Sequence, residues 1–443
     1  MRAAASPSLR RRDPSWDYAG KASKRLTHGL HPYPAMMIPH VAARLIELLS
    51  QPGDLVLDPF CGSGSVLVEA IAAGRRAIGV DLNPLAVLIA RAKTTPVPAA
   101  ALTAAIASVE AALPRFLADP PPPPPVPRLD FWFKPDVIRA LAALRAAIFA
   151  AHEPARAVLQ ATFSEVVRLA SNARSSEFKL HRYPPERLVR HQPDPVALFR
   201  ARAARNAALL ATFAPTAPAE VWLADSRQPL PGLADSTVDA VITSPPYGDS
   251  RTTVAYGQFS RLSAQWLGIV GDRDLDPSLL GGARTRAPIP SSPHLEATLA
   301  AIACRDRRRA SDVAAFYVDM AACLAEIARV LRPGGLAALV VGNRRVKGVQ
   351  IPTDLILADL AVPLGLLPRE VIIRRIPTKR LPSRNSPSNI PGTVGETMSH
   401  EHILILERGA PAAPRHAATE RDHHENRAPS QRPAHAAAAT RQA

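Results

Sequence analysis

Apolar positions along the chain form two alternating kinds of pattern. Short uninterrupted apolar runs are typical of strands that are buried on both faces, and longer runs with apolar residues at helical spacing are typical of helices. The strand-like runs cover residues 55–57, 77–80, 221–223, 238–242 and 336–341, and the helix-like runs cover residues 38–49, 66–73, 84–93 and 316–331. This alternation predicts a mostly parallel α/β sheet. Residues 371–376 and 402–406 predict an antiparallel pair that closes it.

The pattern changes between the second and third strand-like runs. Residues 98–217 are rich in Ala and Pro, and residues 120–125 are consecutive prolines, which predict a stiff extended connector. Helical patterns follow at residues 136–151, 155–171 and 195–212. We therefore predict a helical insert that interrupts the sheet domain.

Three other stretches lack a regular pattern. Residues 1–25, with arginines at positions 10–12, predict a disordered basic tail. Residues 408–443 predict a second disordered tail of low complexity. Residues 248–310 contain many Gly, Pro and Arg and few helix signals, which predicts a long loop that is functional or disordered.

A glycine-rich turn follows the first strand-like run. Asp58 ends this run, and Gly62 and Gly64 lie in the turn that leads into the next helix. The glycines allow a ligand to approach the backbone closely, and the helix N-terminus offers free N–H groups to an anion. Asp81 ends the second run at the position that binds ribose hydroxyls in nucleotide-binding sheets. Because the usual dinucleotide spacing of glycines is absent, the prediction of a nucleotide-like ligand depends on the two carboxylates.

A stiff polar corner follows the fourth strand-like run. It reads Thr243-Ser244-Pro245-Pro246-Tyr247, and its two prolines fix the backbone and offer no N–H. The Ser244 hydroxyl and the backbone carbonyls can accept hydrogen bonds from an amino group, and Tyr247 offers a flat face to a planar ring. This combination suits the exocyclic amine of a nucleobase. The alternative is a proline-rich surface turn.

With these motifs the chain resembles the amino-directed DNA methyltransferases, which methylate cytosine N4 or adenine N6 with S-adenosylmethionine. Residues 58–64 resemble their cofactor loop, residues 244–247 resemble their catalytic motif, and residues 31–34 resemble the segment that closes over the methionine end of the cofactor. A Lys-Phe pair that follows this segment in many relatives is Met36-Met37 here. The resemblance covers residues 26–97 and 219–407. It implies a Rossmann-like class I methyltransferase sheet with a cofactor-binding half at 26–97 and a catalytic half at 218–407.

The resemblance also implies a set of site residues and a reaction that requires no metal. Asp225 follows the third strand-like run, and in this family such an acid lies beside the adenine amine of the cofactor. The alternative is that Asp225 caps the next helix. The expected cofactor-binding residues are Tyr33, Pro34, Asp58, Phe60, Gly62, Gly64, Asp81, Asn83 and Asp225, and the expected catalytic residues are Ser244, Pro245, Pro246 and Tyr247.

The sequence leaves open which atom receives the methyl group, because several classes of enzyme share parts of these motifs. Ser at position 244 is common among the cytosine-N4 enzymes of this family, and Asp or Asn is common among its adenine-N6 enzymes, so cytosine N4 is favoured. RNA guanine-N2 enzymes share the Pro-Pro-Tyr-Gly corner but mostly have Asp in place of Ser244. Cytosine-C5 methylation needs a thiolate that follows a proline, and no cysteine here does. A scaffold that only binds DNA would require decayed motifs, and these are intact.

The formal net charge of +16 favours a polyanionic partner, which the resemblance identifies as double-stranded DNA with the target base flipped out. A solvated basic surface is the alternative. Residues 168–205 of the insert predict either a DNA-reading surface or a helical lid with a polar face. The expected DNA contacts are Arg174, Lys179, Arg182, Arg251 and Arg261. A cognate restriction endonuclease is a further partner that the resemblance suggests.

The three cysteines, Cys61, Cys304 and Cys323, show no metal-binding spacing. They predict free thiols in a reducing cytosol. No apolar run is expected to reach transmembrane length, and the N-terminus has no apolar signal core. Together these features predict a soluble cytoplasmic enzyme.

Overall fold

An eight-stranded mixed sheet forms the centre of the molecule. The computed structural model describes residues 9–21, 24–175, 177–249, 254–269, 275–283, 285, 287–376, 384–385, 395–396 and 398–410, and those as far as Gly409 belong to one unit. The strands within these residues are β1 (Arg10–Arg12), β2 (Leu55–Asp58), β3 (Arg76–Asp81), β4 (Ala219–Leu223), β5 (Val238–Thr243), β6 (Leu331–Val341), β7 (Arg345–Val346), β8 (Val349–Gln350), β9 (Leu366–Arg375), β10 (Arg384–Asn385), β11 (Gly395–Glu396) and β12 (His400–Arg408).

The strand order in the large sheet is β1-β9-β12-β6-β5-β2-β3-β4. Strands β2 to β6 pair in parallel, whereas β12 pairs antiparallel with both β6 and β9. This arrangement confirms the predicted Rossmann-like sheet with an antiparallel closing strand. The chain order reverses between β2 and β5, so the carboxyl ends of these neighbours bound a crevice of the kind that binds ligands in open α/β sheets.

Helices cover both faces of this sheet. Val56 and Ile242 share one buried apolar cluster with α1 and α2, and Leu57 and Val241 share another with α12 and α13, as the pleat of β2 and β5 requires. The helices within the described residues are α1 (Pro39–Leu49), α2 (Ser65–Ala72), α3 (Pro84–Thr94), α4 (Ala99–Ala118), α5 (Leu129–Trp132), α6 (Pro135–Phe149), α7 (Ala155–Ala170), α8 (Pro185–Arg190), α9 (Pro195–Ala211), α10 (Tyr256–Leu267), α11 (Pro293–Ala303), α12 (Arg307–Val330) and α13 (Thr353–Ala361).

Helices α4 to α9 form the insert, and they pack directly on the sheet domain. The buried side chains of the insert share one apolar cluster with Ile89 of α3 and Trp266 of α10. The Trp266 ring meets the rings of Phe133 and Phe163 edge-on, with centroid distances of 5.6 and 6.4 Å. The insert is therefore held against the same side of the sheet domain as the predicted cofactor site.

Helix α4 lies just before the proline run, where the sequence analysis identified no helix. It is long and apolar enough to span a membrane by length and composition alone, so the prediction that no apolar run reaches that length is wrong by this criterion. Leu102, Val109 and Leu113 are its buried residues, and they belong to the apolar cluster of the insert. Its high hydropathy comes from alanines that surround this stripe.

The N-terminal segment corrects a second prediction. Residues 9–21 are not a disordered basic tail, because β1 pairs in parallel with β9 and Trp16 is buried. Arg10 makes two hydrogen bonds, of 2.9 and 2.7 Å, to the fully buried carboxylate of Asp354. Arg11 pairs with Glu370 and with Asp13 at the surface. Arg12 pairs with the nearby Asp17. The arginine run is therefore neutralised by acidic partners, both local and from the other end of the chain, and it forms the edge of the sheet.

The stretch from 248 to 310 is also more regular than predicted. Its described parts include α10 and α11, although residues 250–253, 270–274, 284 and 286 lie outside the described residues. Helix α10 buries Phe259, Leu262 and Trp266 at helical spacing, and Ser292 caps α11 by accepting a hydrogen bond of 3.1 Å from the Leu295 amide. These two signals were present in the sequence and could have identified both helices.

Candidate active site

A pocket of about 950 Å³, measured with its open mouth, lies at the carboxyl ends of β2, β3, β4 and β5. Of the predicted catalytic residues, Ser244 and Pro246 line it, and Pro245 and Tyr247 do not. Gly64 is the one predicted cofactor residue that does not contribute to the wall. The predicted cofactor residues that line the pocket are Tyr33, Pro34, Asp58, Phe60, Gly62, Asp81, Asn83 and Asp225.

Asp81 organises the glycine loop and the start of α3. Its Oδ2 accepts a hydrogen bond of 2.9 Å from the Gly62 amide, and its Oδ1 accepts one of 2.8 Å from the Asn83 amide. Burial raises the pKa of Asp81 to about 6, against the effect of these backbone bonds. The side chain therefore offers a desolvated acceptor that is already oriented by the backbone around it.

Asp58 joins the two motifs that the sequence analysis identified. Its Oδ1 accepts a hydrogen bond of 2.6 Å from the Thr243 hydroxyl at the end of β5 and one of 3.1 Å from the Phe60 amide. Burial raises the pKa of Asp58 to about 7. The bond to Thr243 fixes the cofactor loop to the strand that carries Ser244, across the point where the strand order reverses.

The two loop glycines serve different purposes. Gly62 (φ 50°) lies against the Tyr33 ring, where an added Cβ would meet Tyr33 at 3.5 Å, and it lines the pocket. Gly64 (φ 81°) lies against α3 instead, and an added Cβ would come within 3.1 Å of the Ala90 Cβ. Gly64 is thus required by its backbone conformation and by the close approach of α3, and not by a ligand.

Aromatic side chains close one side of the pocket. The Tyr33 hydroxyl accepts a hydrogen bond of 3.0 Å from Asn83 Nδ2, and the Tyr33 ring stacks with Tyr256 at a centroid distance of 6.1 Å. Tyr256 begins α10 and lines the pocket, although sequence reasoning placed it in a loop. The insert holds the segment that leads to Tyr33. The Ser164 hydroxyl forms a hydrogen bond of 2.8 Å with His31 Nε2, and Arg205 donates one of 2.6 Å to the Leu30 carbonyl.

A buried lysine lies behind the glycine loop. Lys93 of α3 is inaccessible to solvent, and its Nζ lies 3.0 Å from Ser63 Oγ and 3.9 Å from Met36 Sδ. Ser63 and Met36 both line the pocket. Burial lowers the pKa of Lys93 to about 7. An ammonium group therefore lies next to the loop although the residues after Tyr33-Pro34 supply none.

Asp225 lies at the opposite wall and does not cap a helix. It accepts hydrogen bonds from both Arg227 Nε and Arg227 Nη2, at 2.9 and 2.8 Å. Arg227 also contacts Asp319 at 3.2 Å. The alternative role as a helix cap is wrong, because β5 is the next regular element after β4.

The Ser-Pro-Pro-Tyr corner is held by contacts from distant strands. Ser244 Oγ donates a hydrogen bond of 3.0 Å to the Val340 carbonyl of β6. The Tyr247 hydroxyl donates one of 2.9 Å to Glu401 of β12. Burial and the Glu401 charge raise the pKa of Tyr247 well above its usual range, so the phenol stays protonated. The corner is therefore an ordered part of the structure and not a solvated surface turn, and it contributes Ser244 and Pro246 to the pocket wall.

The chain that leaves this corner is fixed by a buried ion cluster. The carboxylate of Asp249 is inaccessible to solvent and lies 2.9 Å from Arg344 and 3.3 Å from Arg309. An added Cβ at Gly248 would fall within 2.1 Å of the Arg344 guanidinium, so a side chain there would displace this guanidinium from its place in the cluster. The sequence analysis did not identify Asp249 or either arginine, because nothing local connects them.

The predicted DNA contacts fall in separate places. Arg182 is exposed on the insert, and its guanidinium lies 4.4 Å from the centre of the Phe131 ring. The Arg128 guanidinium lies 3.9 Å from the centre of the same ring. Lys179 is exposed nearby in the chain, and Arg174 pairs with Glu177. Arg261 lies in α10 and is half-buried, and Arg251 lies outside the described residues.

Comparison with known proteins fits this geometry. The family model N6_N4_Mtase, described as DNA methylase, matches residues 5–92. The chain is 38% identical to the Type II methyltransferase M.MvaI of Kocuria varians over 87% of this chain and 92% of that protein. Shorter matches include a tRNA (guanine(10)-N2)-dimethyltransferase of Methanothermobacter thermautotrophicus (42% identical, 12% of this chain, 16% of that protein) and the DNA adenine methyltransferase YhdJ of Escherichia coli (52% identical, 9% of this chain, 14% of that protein).

The pocket also fits the cofactor of this family. S-adenosylmethionine carries a cationic sulfonium, an amino-acid group, a ribose and an adenine, and the wall offers desolvated carboxylates, aromatic faces and a buried ammonium for these parts. The nearly full-length relative, the two motifs and this set of groups agree with one another. The chain belongs to the amino-directed, cytosine-N4 and adenine-N6, family of S-adenosylmethionine-dependent DNA methyltransferases.

Proposed function

We propose that this protein methylates the exocyclic N4 amine of a cytosine that is flipped out of double-stranded DNA. The observation that carries the proposal is the Ser244 hydroxyl at the pocket wall, which donates to the Val340 carbonyl at 3.0 Å and, among the described residues, has only one weaker contact, of 3.5 Å, with the Tyr247 hydroxyl. Its lone pairs are therefore left to accept a hydrogen bond from an amine. Ser244, in place of the Asp or Asn of many adenine-N6 enzymes, favours cytosine.

The chain's own residues have separate tasks in this proposal. The Ser244 hydroxyl and the Pro245 carbonyl accept hydrogen bonds from the target amine and orient its lone pair towards the cofactor pocket. Tyr247 stacks on the flipped ring. Asp81, Asp58 and Tyr33 hold the cofactor, which when bound supplies a methyl group on a sulfonium. Orientation of the amine is the main contribution of the protein to catalysis. No strong base is needed before the transfer, because the amine loses its proton only after it has been methylated.

Adenine N6 is the second candidate, and the short similarity to a DNA adenine methyltransferase is the observation that supports it. Nucleoside mass spectrometry of DNA incubated with the pure protein and S-adenosylmethionine separates the two. N4-methylcytosine is the expected product. N6-methyladenine would overturn the choice of base while leaving the amine-binding roles intact, and a mark found only on RNA would overturn both. Ser244→Ala should abolish the mark while leaving cofactor affinity unchanged.

We further propose that the insert contacts the DNA and that the protein acts as the modification partner of a Type II restriction endonuclease, as the name of the Kocuria varians relative suggests. Support for DNA contact comes from Arg182 and Lys179, which are exposed on the insert without an acidic partner in the contacts of the described residues. Arg182→Ala should weaken DNA binding about fivefold, equivalent to about 1 kcal/mol, and reduce its salt dependence. Arg200→Ala, which removes an exposed insert arginine neutralised by Glu110, is the matched control.

A further inference from the structure

The Tyr247 ring is anchored at its hydroxyl by a carboxylate that has no part in cofactor binding. Glu401 of β12 accepts a hydrogen bond of 2.9 Å from the Tyr247 hydroxyl through Oε1 and contacts Arg374 of β9 through Oε2. Gly342, directly after β6, lies against the ring, because an added Cβ there would come within 2.8 Å of Tyr247 Cδ2. A tyrosine held at its tip and along its side has little freedom to rotate, and its ring plane is set before any base arrives.

Arg374 in turn is held by the N-terminal segment. Its side chain is inaccessible to solvent, its Nε donates to the Trp16 carbonyl at 2.8 Å, and its Nη2 donates to the Asp17 carbonyl at 3.3 Å. The Asp17 carboxylate accepts a further hydrogen bond of 2.8 Å from the Arg375 amide. The planar guanidinium thus bridges one carboxylate and two backbone carbonyls, a set that a lysine cannot reproduce with the same geometry.

The segment that supplies these carbonyls is itself fixed to the sheet. Strand β1 pairs with β9, the Asp13 amide donates to the Ile373 carbonyl at 3.1 Å, and the buried Trp16 ring lies 4.1 Å from the Arg44 guanidinium. A continuous series of contacts therefore runs from residues 13–17 through Arg374 and Glu401 to the Tyr247 hydroxyl. We define this series as the tyrosine brace.

We propose that the tyrosine brace is a positioning device for methyl transfer, in which Glu401 and Arg374 act on the target base only through Tyr247. The inference rests on the proposed role of Tyr247 as the face on which the base stacks. It assigns the N-terminal segment a task in catalysis that its basic composition did not indicate. It also explains why the closing strand β12 carries an acid directly at the catalytic edge of the sheet.

A double-mutant cycle tests this proposal. Tyr247→Phe keeps the ring and removes the bond to Glu401, and Glu401→Gln removes the charge that holds Arg374. Each single variant should lower kcat for DNA methylation about tenfold with unchanged affinity for S-adenosylmethionine, and the double variant should be no worse than either single one. If the losses of kcat in the two single variants multiply in the double variant, or if Glu401→Gln keeps full activity, the proposed role of the brace is overturned.

Two further variants separate positioning from folding. If Glu401→Gln does not fold, Glu401→Asp replaces it in the cycle, because it keeps a negative charge beside Arg374 while the side chain, shorter by one methylene, lengthens the contact with the Tyr247 hydroxyl. Arg374→Lys should lower kcat in the same way, whereas Arg375→Lys at the exposed neighbouring position should not. Equal losses in both lysine variants would indicate a general effect on β9 and contradict the proposal.

The cycle is measured on whichever base the wild-type protein marks. A product other than N4-methylcytosine would therefore change the proposed function and leave the test of the brace valid. Failure of the brace, in contrast, would appear as additivity within the cycle while the product of the wild-type enzyme stayed the same.

Discussion

The two halves of the site are built by different kinds of contact. In the cofactor half, Asp81 bonds the amides of Asn83 and Gly62, which are 2 and 19 positions away in sequence, and Asp58 bonds the amide of Phe60, 2 positions away. In the catalytic half, Ser244 and Tyr247 are held by Val340 and Glu401, 96 and 154 positions away. The cofactor half is thus organised largely within the continuous segment from β2 to the start of α3, and the catalytic half depends on the assembled sheet.

This difference suggests that the two halves should respond differently to substitution. Changes in the cofactor half should alter ligand affinity and leave the rest of the fold intact. Changes in the distant partners of the catalytic half should alter stability or turnover and leave cofactor affinity intact. The Asp58–Thr243 bond, which spans 185 positions, is the point where the two halves meet.

The largest expected effect concerns the buried ion cluster after the catalytic corner. Asp249→Ala removes a fully buried carboxylate and leaves Arg344 and Arg309 without it, so the free energy of unfolding should fall by about 3–5 kcal/mol. Urea unfolding measures this loss. Asp235→Ala is the control, because the pair of Asp235 with Arg329 is exposed and should contribute less than about 1 kcal/mol. Similar losses in the two variants would contradict the importance of burial here.

The second prediction concerns the cofactor half alone. Asp81→Ala removes the acceptor for both the Gly62 and Asn83 amides and a desolvated partner for the cofactor, so affinity for S-adenosylmethionine should fall on the order of 100-fold. Titration calorimetry measures the affinity. Turnover at saturating cofactor should stay within a few-fold of the wild-type value. A loss confined to turnover would remove the distinction between the two halves.

The same distinction explains what the sequence could and could not predict. The strand ends at Asp58 and Asp81, the glycine turn and Asn83 were identifiable because the pattern that defines them is local. Glu401 was not identifiable, since only the pairing of β12 with β6 and β9 brings it to Tyr247.

The N-terminal segment shows the limit of composition as a guide. Three adjacent arginines indicate a solvated tail when their surroundings are unknown. Here Asp354 and Glu370, 344 and 359 positions away, neutralise Arg10 and Arg11, so the run forms the edge strand β1. Helix α10, which begins at Tyr256, was missed for another reason: the buried Phe259 and Trp266 have the spacing of a helix, but glycines and arginines around them obscured that pattern.

The smallest expected effect distinguishes affinity from stability at Lys93. Its buried ammonium donates to Ser63, which leaves the Ser63 proton free to point into the pocket towards an anionic part of the cofactor. Burial lowers the pKa of Lys93 to about 7, so the folded state binds the proton less tightly than the unfolded state. The resulting cost to stability is fully present below pH 7 and disappears as the pH rises towards the pKa of this lysine in the unfolded chain.

Lys93→Met should therefore raise the melting temperature at pH 6 and at the same time weaken cofactor binding by about threefold to tenfold. The gain in stability should shrink between pH 7 and pH 10, because the wild-type lysine becomes neutral over that range. Thermal unfolding and calorimetry at several pH values measure both quantities, with the exposed Lys24→Met as control. Unchanged affinity together with raised stability would make Lys93 a structural residue and limit the cofactor half to its two carboxylates and aromatic wall.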